Sequence, residues 1–256
     1  MRRNKIKDKY LTRIKSSDDN NVSNLSDTTT KKITKGLISL LWIFLLLLWS
    51  AIPSIVMTIM KINPDNLSNM TKFIISFIND LLFIILLVGV YYKTLKNDFK
   101  KYFNHNFKDN LKQAISYWLL GLGIMFVSNL VIAMVMSGEL AENEEAVRSM
   151  IDMAPLYMVF QLVVYAPITE ELIFRKSIRE IFNNKYVFAI VSGIIFGGLH
   201  AISSITDVVS LLYLIPYCSL GIVFGLLYGK TNNIFSTMTA HAIHNFLALL
   251  LYLGTL

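Results

Sequence analysis

Residues 73–92 read FIISFINDLLFIILLVGVYY, twenty positions with a single formal charge, Asp80, near their middle. A helix needs about 20 predominantly apolar residues to cross the hydrocarbon core of a bilayer, so this stretch is a membrane span. Six further runs share its character, at about 36–60, 114–136, 154–175, 186–204, 208–228 and 233–254. None alternates apolar and polar residues as the strand of a barrel would, and backbone groups in lipid must be satisfied internally. The fold class is therefore all-α, a polytopic membrane bundle of seven helices. An eighth, amphipathic helix around 139–152 is left open.

Composition points the same way. The chain has 256 residues, 54% hydrophobic and 16% charged, and a mean hydropathy of +0.54. This excludes a soluble globular domain and a disordered chain, and the single cysteine, Cys218, excludes a disulfide scaffold. The net charge of +7 does not point to nucleic acid, because the basic residues flank the apolar runs and are sorted by side. Of 24 Lys and Arg, ten lie in 1–35, six in 93–112, four in 175–185 and one at Lys230. The alternate loops hold only Lys61, Lys72 and Arg148, beside the acidic Glu139, Glu142, Glu144, Glu145 and Asp152. The positive-inside rule then places the N-terminus in the cytoplasm and, with seven spans, the C-terminus outside. The expected location is the cell membrane, as a multi-pass protein in contact with lipid.

Residues 1–35 read as a polar, basic, disordered tail, and 36–256 as a single transmembrane domain. The tail is too long and too charged for a cleaved signal peptide, so the first apolar run reads as a signal-anchor.

Ionisable groups inside spans are expensive, and each is a functional hypothesis. The fourth span contains Pro167-Ile168-Thr169-Glu170-Glu171-Leu172-Ile173-Phe174-Arg175. Glu171 and Arg175 stand at i and i+4 with the acid first, the favourable order for a helical ion pair, and they read as structural. Glu170 points about 100° away, with Phe174 rather than a cation at i+4. It is left free to act as a general base. Pro167 removes a backbone hydrogen bond and predicts a kink just before the carboxylates. The fifth span carries Phe196 and His200, and the seventh His241, His244 and Asn245.

Depth decides whether these groups meet. His200 lies roughly 22 Å and His241 roughly 15 Å from the cytoplasmic turns at 1.5 Å per residue. Glu170 would lie only ~8 Å deep if the fourth helix stopped at Arg175, and ~20 Å deep if it ran on to about Asn183. Convergence therefore predicts a long fourth helix. One carboxylate, two imidazoles and an amide in a dry bundle suit hydrolysis by direct attack of water. Glu170 would take the proton, His200 would position the water, and His241 and Asn245 would donate to the oxyanion. No Ser or Cys is placed to act as nucleophile.

Glu170-Glu171-x-x-x-Arg175, then Phe196-x-x-x-His200, then His241-x-x-x-Asn245, in this order on three late spans, resembles the CAAX prenyl protease and bacteriocin-processing family. These are intramembrane glutamic endopeptidases, called Abi proteins in bacteria. The resemblance covers about residues 114–250. It implies a helical bundle with Glu170 as base, His200 positioning water, His241 and Asn245 at the oxyanion, and Glu171–Arg175 as structure. It further implies a peptide or protein substrate with a hydrophobic or lipidated end, entering laterally or from the cytoplasmic side, and roles such as bacteriocin self-immunity or peptide maturation.

Three other readings stand beside this one. A zinc-dependent protease would use Glu170, His200 and His241 as ligands, but the His-Glu-x-x-His signature is absent, and no cofactor is expected. A non-catalytic immunity or scaffold protein would gain nothing from burying Glu170. A transporter would show paired, Gly/Pro-broken helices in two corresponding halves.

Phe196 reads as packing near the site, His244 as packing, and Cys218 as an inert thiol. Asp80, beside Asn79, reads first as a structural hydrogen bond and second as lining a water path. Gly193-x-x-x-Gly197 and Gly221-x-x-x-Gly225-x-x-x-Gly229 let helices approach closely.

Overall fold

The computed structural model describes residues 29–105, 107–136 and 141–255, and among these there is no strand. Among the described residues, seven helices are long and apolar enough to cross a membrane: α1 (Thr29–Trp49), α3 (Asn69–Asn104), α4 (Phe107–Val135), α6 (Pro155–Ser177), α7 (Lys185–Ser204), α8 (Ser210–Thr231) and α9 (Ile234–Leu253). The protein is a multi-pass membrane bundle. Two shorter helices, α2 (Ile52–Ile59) and α5 (Glu142–Met153), connect them. At 12 residues, α5 is too short to cross, so the amphipathic stretch adds a helix but not a span. Part of the polar tail is helical, since α1 begins at Thr29. Residues 1–28 and Glu139 lie outside the described residues.

The core gathers around α6. Leu172, Ile173 and Phe174 of α6 are buried with Phe83 and Leu87 of α3, Phe188 and Phe196 of α7, Tyr228 of α8, and Ile234 and Met238 of α9. The outer faces of α1, α3 and α4 leave Leu, Ile and Phe exposed, as lipid-facing surfaces require.

Helices α7 and α8 lie nearly in contact through their backbones. A Cβ on Gly193 would run into the backbone of Ile222, and one on Gly197 into the backbone of Cys218. The small-residue spacing read from the sequence is thus a close helix crossing, and it fixes the height at which α7 presents Phe196 and His200.

The start of α9 is fixed by local capping and by α3. Asn232 ends α8 with φ 46°, a left-handed conformation that Asn tolerates better than most residues. The Asn233 side chain then accepts from Phe235 N at 3.0 Å. Asp98 of α3 receives Ile234 N on Oδ2 at 3.1 Å, and its carbonyl accepts from Asn233 Nδ2 at 2.9 Å. These bonds set the register that brings His241 to the level of α6.

Helix α6 continues through Arg179 before the chain turns. The long fourth helix is therefore present, ending a few residues short of Asn183. Two wider-wound segments interrupt it, Gln161–Tyr165 and Glu171–Ser177, and Ala166 N donates to Gln161 O five residues back. Such bulges accommodate a missing donor and are frequent at functional sites. Pro167, which cannot donate, stands two residues after the first of them ends.

Candidate active site

Glu170 and Glu171 leave α6 in different directions. Glu171 is fully buried; its Oε2 lies 3.3 Å from Arg175 Nε, and its Oε1 accepts from His241 Nδ1 at 3.0 Å. The predicted ion pair is present, and the same carboxylate also holds the histidine. Arg175 is fully buried as well. Its Nη1 donates to Ser192 Oγ at 3.4 Å, and Ser192 Oγ donates to Phe174 O at 2.8 Å. The guanidinium stands over the Phe196 ring, 4.8 Å from its centroid, a favourable place for a desolvated cation.

Phe196 does more than fill space near the site. Its ring centroid is 4.3 Å from that of His200 and 6.1 Å from that of His241, the latter edge-on at 84°. One ring therefore carries the buried cation and packs against both imidazoles.

The two imidazoles point the same kind of atom at Glu170. His200 Nδ1 lies 2.9 Å from the Phe196 carbonyl, which only accepts, so Nδ1 bears a hydrogen, and in the neutral ring Nε2 then carries a lone pair. His241 Nδ1 donates to the Glu171 carboxylate, so in its neutral ring Nε2 likewise carries a lone pair. These Nε2 atoms are 4.0 Å (His200) and 3.8 Å (His241) from Glu170 Oε2. Both distances are too long for a direct hydrogen bond. Glu170 Oε2 is buried and has no hydrogen-bond partner among the described residues. In this neutral form His241 presents an acceptor where an oxyanion donor was expected, and it would donate there only as an imidazolium.

Asn245 has a partner on α6 as well. Its Nδ2 donates to Leu162 O at 2.8 Å. Leu162 stands five residues before Pro167, where the wide winding of α6 would call for a donor that proline lacks. Asn245 thus spends one amide hydrogen on a carbonyl of α6, which leaves the second for the site.

A cavity of about 450 Å³ joins Glu170, His200, His241, Asn245 and Phe196. It runs between α6 and α9 and reaches Glu144 and Arg148 of α5 and Tyr252 of α9. Tyr252 Oη donates to the Asp152 carboxylate at 2.9 Å, and Arg148 stands over its ring at 5.1 Å, so α5 is latched across that end. This is the end of the bundle opposite the Lys/Arg-rich segments, whereas the sequence brought substrate in laterally or from their side. His244 lines the cavity too. Among the described residues no three His, Cys, Asp or Glu side chains form a group that could hold a metal ion.

Residues 152–247, which hold every motif position above, match the family described as type II CAAX prenyl endopeptidase Rce1-like. This segment is CAAX-endopeptidase-like. The resemblance carried by the three motifs is borne out. The chain is 30% identical over 142 residues to the protein named "Putative membrane peptidase YdiL" of Bacillus subtilis (strain 168), covering 54% of this chain and 48% of that protein. It is 27% identical over 135 residues to the UPF0177 protein YxdF of Lactococcus lactis subsp. lactis (strain IL1403), covering 50% and 72%. The chain thus spans about half the length of YdiL. No solved structure gives a significant match.

Sequence reasoning did not find two polar partnerships at this site. One is the bond from His241 to Glu171. The other joins Asp80 of α3 to Tyr157 of α6, whose Oη donates to Asp80 Oδ2 at 2.8 Å. Asp80 stood out as an intramembrane charge, but an isolated Tyr at the start of an apolar run carries no signal of its own.

Proposed function

We propose that this protein is an intramembrane endopeptidase that hydrolyses a peptide bond with water activated by Glu170. The observation that carries this reading is the convergence on Glu170 Oε2, buried and unpartnered, of two imidazole Nε2 atoms at 3.8 and 4.0 Å. Three acceptors around one point favour a donor of water's size, and a polar gap beyond about 3.5 Å is the span one bridging water covers. The water gives one hydrogen bond to Glu170 and the other to His200 Nε2.

As the water oxygen attacks the peptide carbonyl carbon, its proton passes to Glu170. The second amide hydrogen of Asn245 stabilises the oxyanion. Glu170 then returns the proton to the leaving nitrogen, the C–N bond breaks, and a carboxylic acid and a free amine result. Glu171, Arg175 and Phe196 hold His241 and His200 in place and touch no reacting atom. The substrate is a membrane-associated peptide or protein with a hydrophobic or lipidated end, in keeping with the similarity to CAAX endopeptidases, and the physiological setting is peptide maturation or bacteriocin self-immunity. The N-terminus faces the cytoplasm of a cell-membrane protein.

The test compares membrane peptides from cells carrying the wild-type chain or Glu170→Gln at matched abundance, and repeats the cleavage with purified protein and a chelator. A general base contributes roughly 10²–10⁴-fold, so a peptide matured by the wild type should vanish in the variant while the variant's melting temperature is unchanged. Cleavage should survive the chelator. Full activity of Glu170→Gln would refute the assignment of the base. A variant that still complements with no peptide altered would point to the binding or scaffold role instead.

A further inference from the structure

The mechanism leaves one intramembrane carboxylate unused. Asp80 sits on α3, only 6% exposed, outside the CAAX-endopeptidase-like segment. Burying a charge there is costly and calls for a role. Its described hydrogen bond comes from Tyr157 Oη at 2.8 Å, and Tyr157 lines the cavity that holds Glu170. Tyr157, Gln161 and Tyr165 follow one another at four-residue spacing on α6, and after the wide-wound segment Glu170 continues the same cavity face. The opposite wall is α9, with His241, His244, Asn245 and Tyr252. The cavity is thus a trough with polar groups along both sides and the reacting groups at one end.

We infer that this trough holds the substrate main chain in extended form, with Tyr157 and Gln161 hydrogen-bonding its peptide groups and Asp80 fixing Tyr157 from behind. The inference rests on the peptidase reading and names its substrate: a peptide segment long enough to run from Glu170 to Tyr157. Those positions are 13 residues apart, roughly 20 Å along a helix axis, which an extended chain at about 3.3 Å per residue spans in about six residues.

Orientation supports the role of Asp80. A phenol bonded to a carboxylate must donate to it, so Tyr157 Oη turns its acceptor side away from Asp80. The bond it receives there from Gln161 Nε2 is long, 3.4 Å, and Ser76, one turn before Asp80, lies beside the same hydroxyl. A substrate N–H can displace the long bond and free Gln161 Nε2 to donate to the next substrate carbonyl. Tyr157 and Asp80 are therefore positioning residues for a long substrate. They take no part in the proton transfer.

The experiment measures binding, so it does not depend on turnover. Glu170→Gln protein in detergent is titrated with dye-labelled alternating Ala-Leu peptides of about fifteen and about four residues, on either side of the six-residue span. Adding Tyr157→Phe, which keeps the ring, should weaken the long peptide about fivefold, the net worth of one hydrogen bond, and leave the short one unchanged. Asp80→Leu should reproduce this loss. Asp80→Asn, which still offers an oxygen to Tyr157, should restore most of the affinity. Equal losses for both peptides, or no loss for the long one with Tyr157→Phe, would overturn the inference. If the length-dependent loss appears and no substrate is ever cleaved, the trough stands and the hydrolytic reading falls. If a substrate is cleaved and binding shows no dependence on length, the trough falls and the hydrolytic reading stands.

Discussion

Consider what happens when Arg175 is replaced by Met, which fills similar volume without charge. Arg175 and Glu171 are both fully buried with 3.3 Å between Nε and Oε2, so the substitution leaves Glu171 as a buried carboxylate with His241 and the Thr237 hydroxyl to answer it but no arginine. Removing one partner of a buried pair costs about 3–5 kcal/mol, because the other charge is stranded. For a chain of this size each kcal/mol is worth roughly 2–4 °C in melting temperature, so the purified protein should melt roughly 10 °C lower. Replacing both partners removes the stranded charge. In Arg175→Met with Glu171→Gln, the amide oxygen still accepts from His241 Nδ1, so most of the loss should return. The assay is thermal unfolding of the four proteins of this double-mutant cycle in one detergent, followed by tryptophan fluorescence. A single variant melting within about 2 °C of wild type, less than 1 kcal/mol on the same scale, would refute the claim that Arg175 neutralises Glu171. A double variant no more stable than Arg175→Met would refute the claim that a stranded charge is the cause.

Other expectations follow from the same structure. Gly197→Val would drive a side chain into the backbone of Cys218 and force α7 away from α8, so both melting temperature and cleavage should fall, whereas the same change at Gly198, with open space around it, should spare stability. Asn245→Leu orphans the Leu162 carbonyl, which should cost about 1–3 kcal/mol in an unfolding titration and lower turnover by more than the stability loss explains. Reporter fusions should place the N-terminus in the cytoplasm and the C-terminus outside. The opposite labelling would overturn the orientation drawn from the Lys and Arg distribution.

The spans were legible because lipid imposes one rule on every run, and the depth argument recovered the long α6 because Glu170 had to reach His200 and His241. The Glu171–Arg175 pair was legible because its partners are four residues apart on one helix. The rest depends on groups far apart in sequence. Glu171 accepts from a histidine 70 positions away, and Asp80 from a tyrosine 77 positions away. No local period records such pairs. The bond from Asn245 to Leu162 escaped the sequence for a subtler reason. The carbonyl partner follows from the wide winding before Pro167, and proline predicts that a helix must yield but not which carbonyl is left open. The acceptor faces of His200 and His241 were also out of reach, because a ring's tautomer is decided by whatever lies at its other nitrogen.

The two oxygens of Glu171 serve different masters, Oε2 the arginine that stabilises the bundle and Oε1 the imidazole that faces Glu170. Selection therefore has no independent dial for robustness and for activity at this position. A substitution that eases the burial of α6 rotates His241, and one that retunes His241 loosens α6. Attempts to harden the protein against heat or detergent should work elsewhere, on α1, α4 or the lipid-facing side of α3, and leave this carboxylate alone.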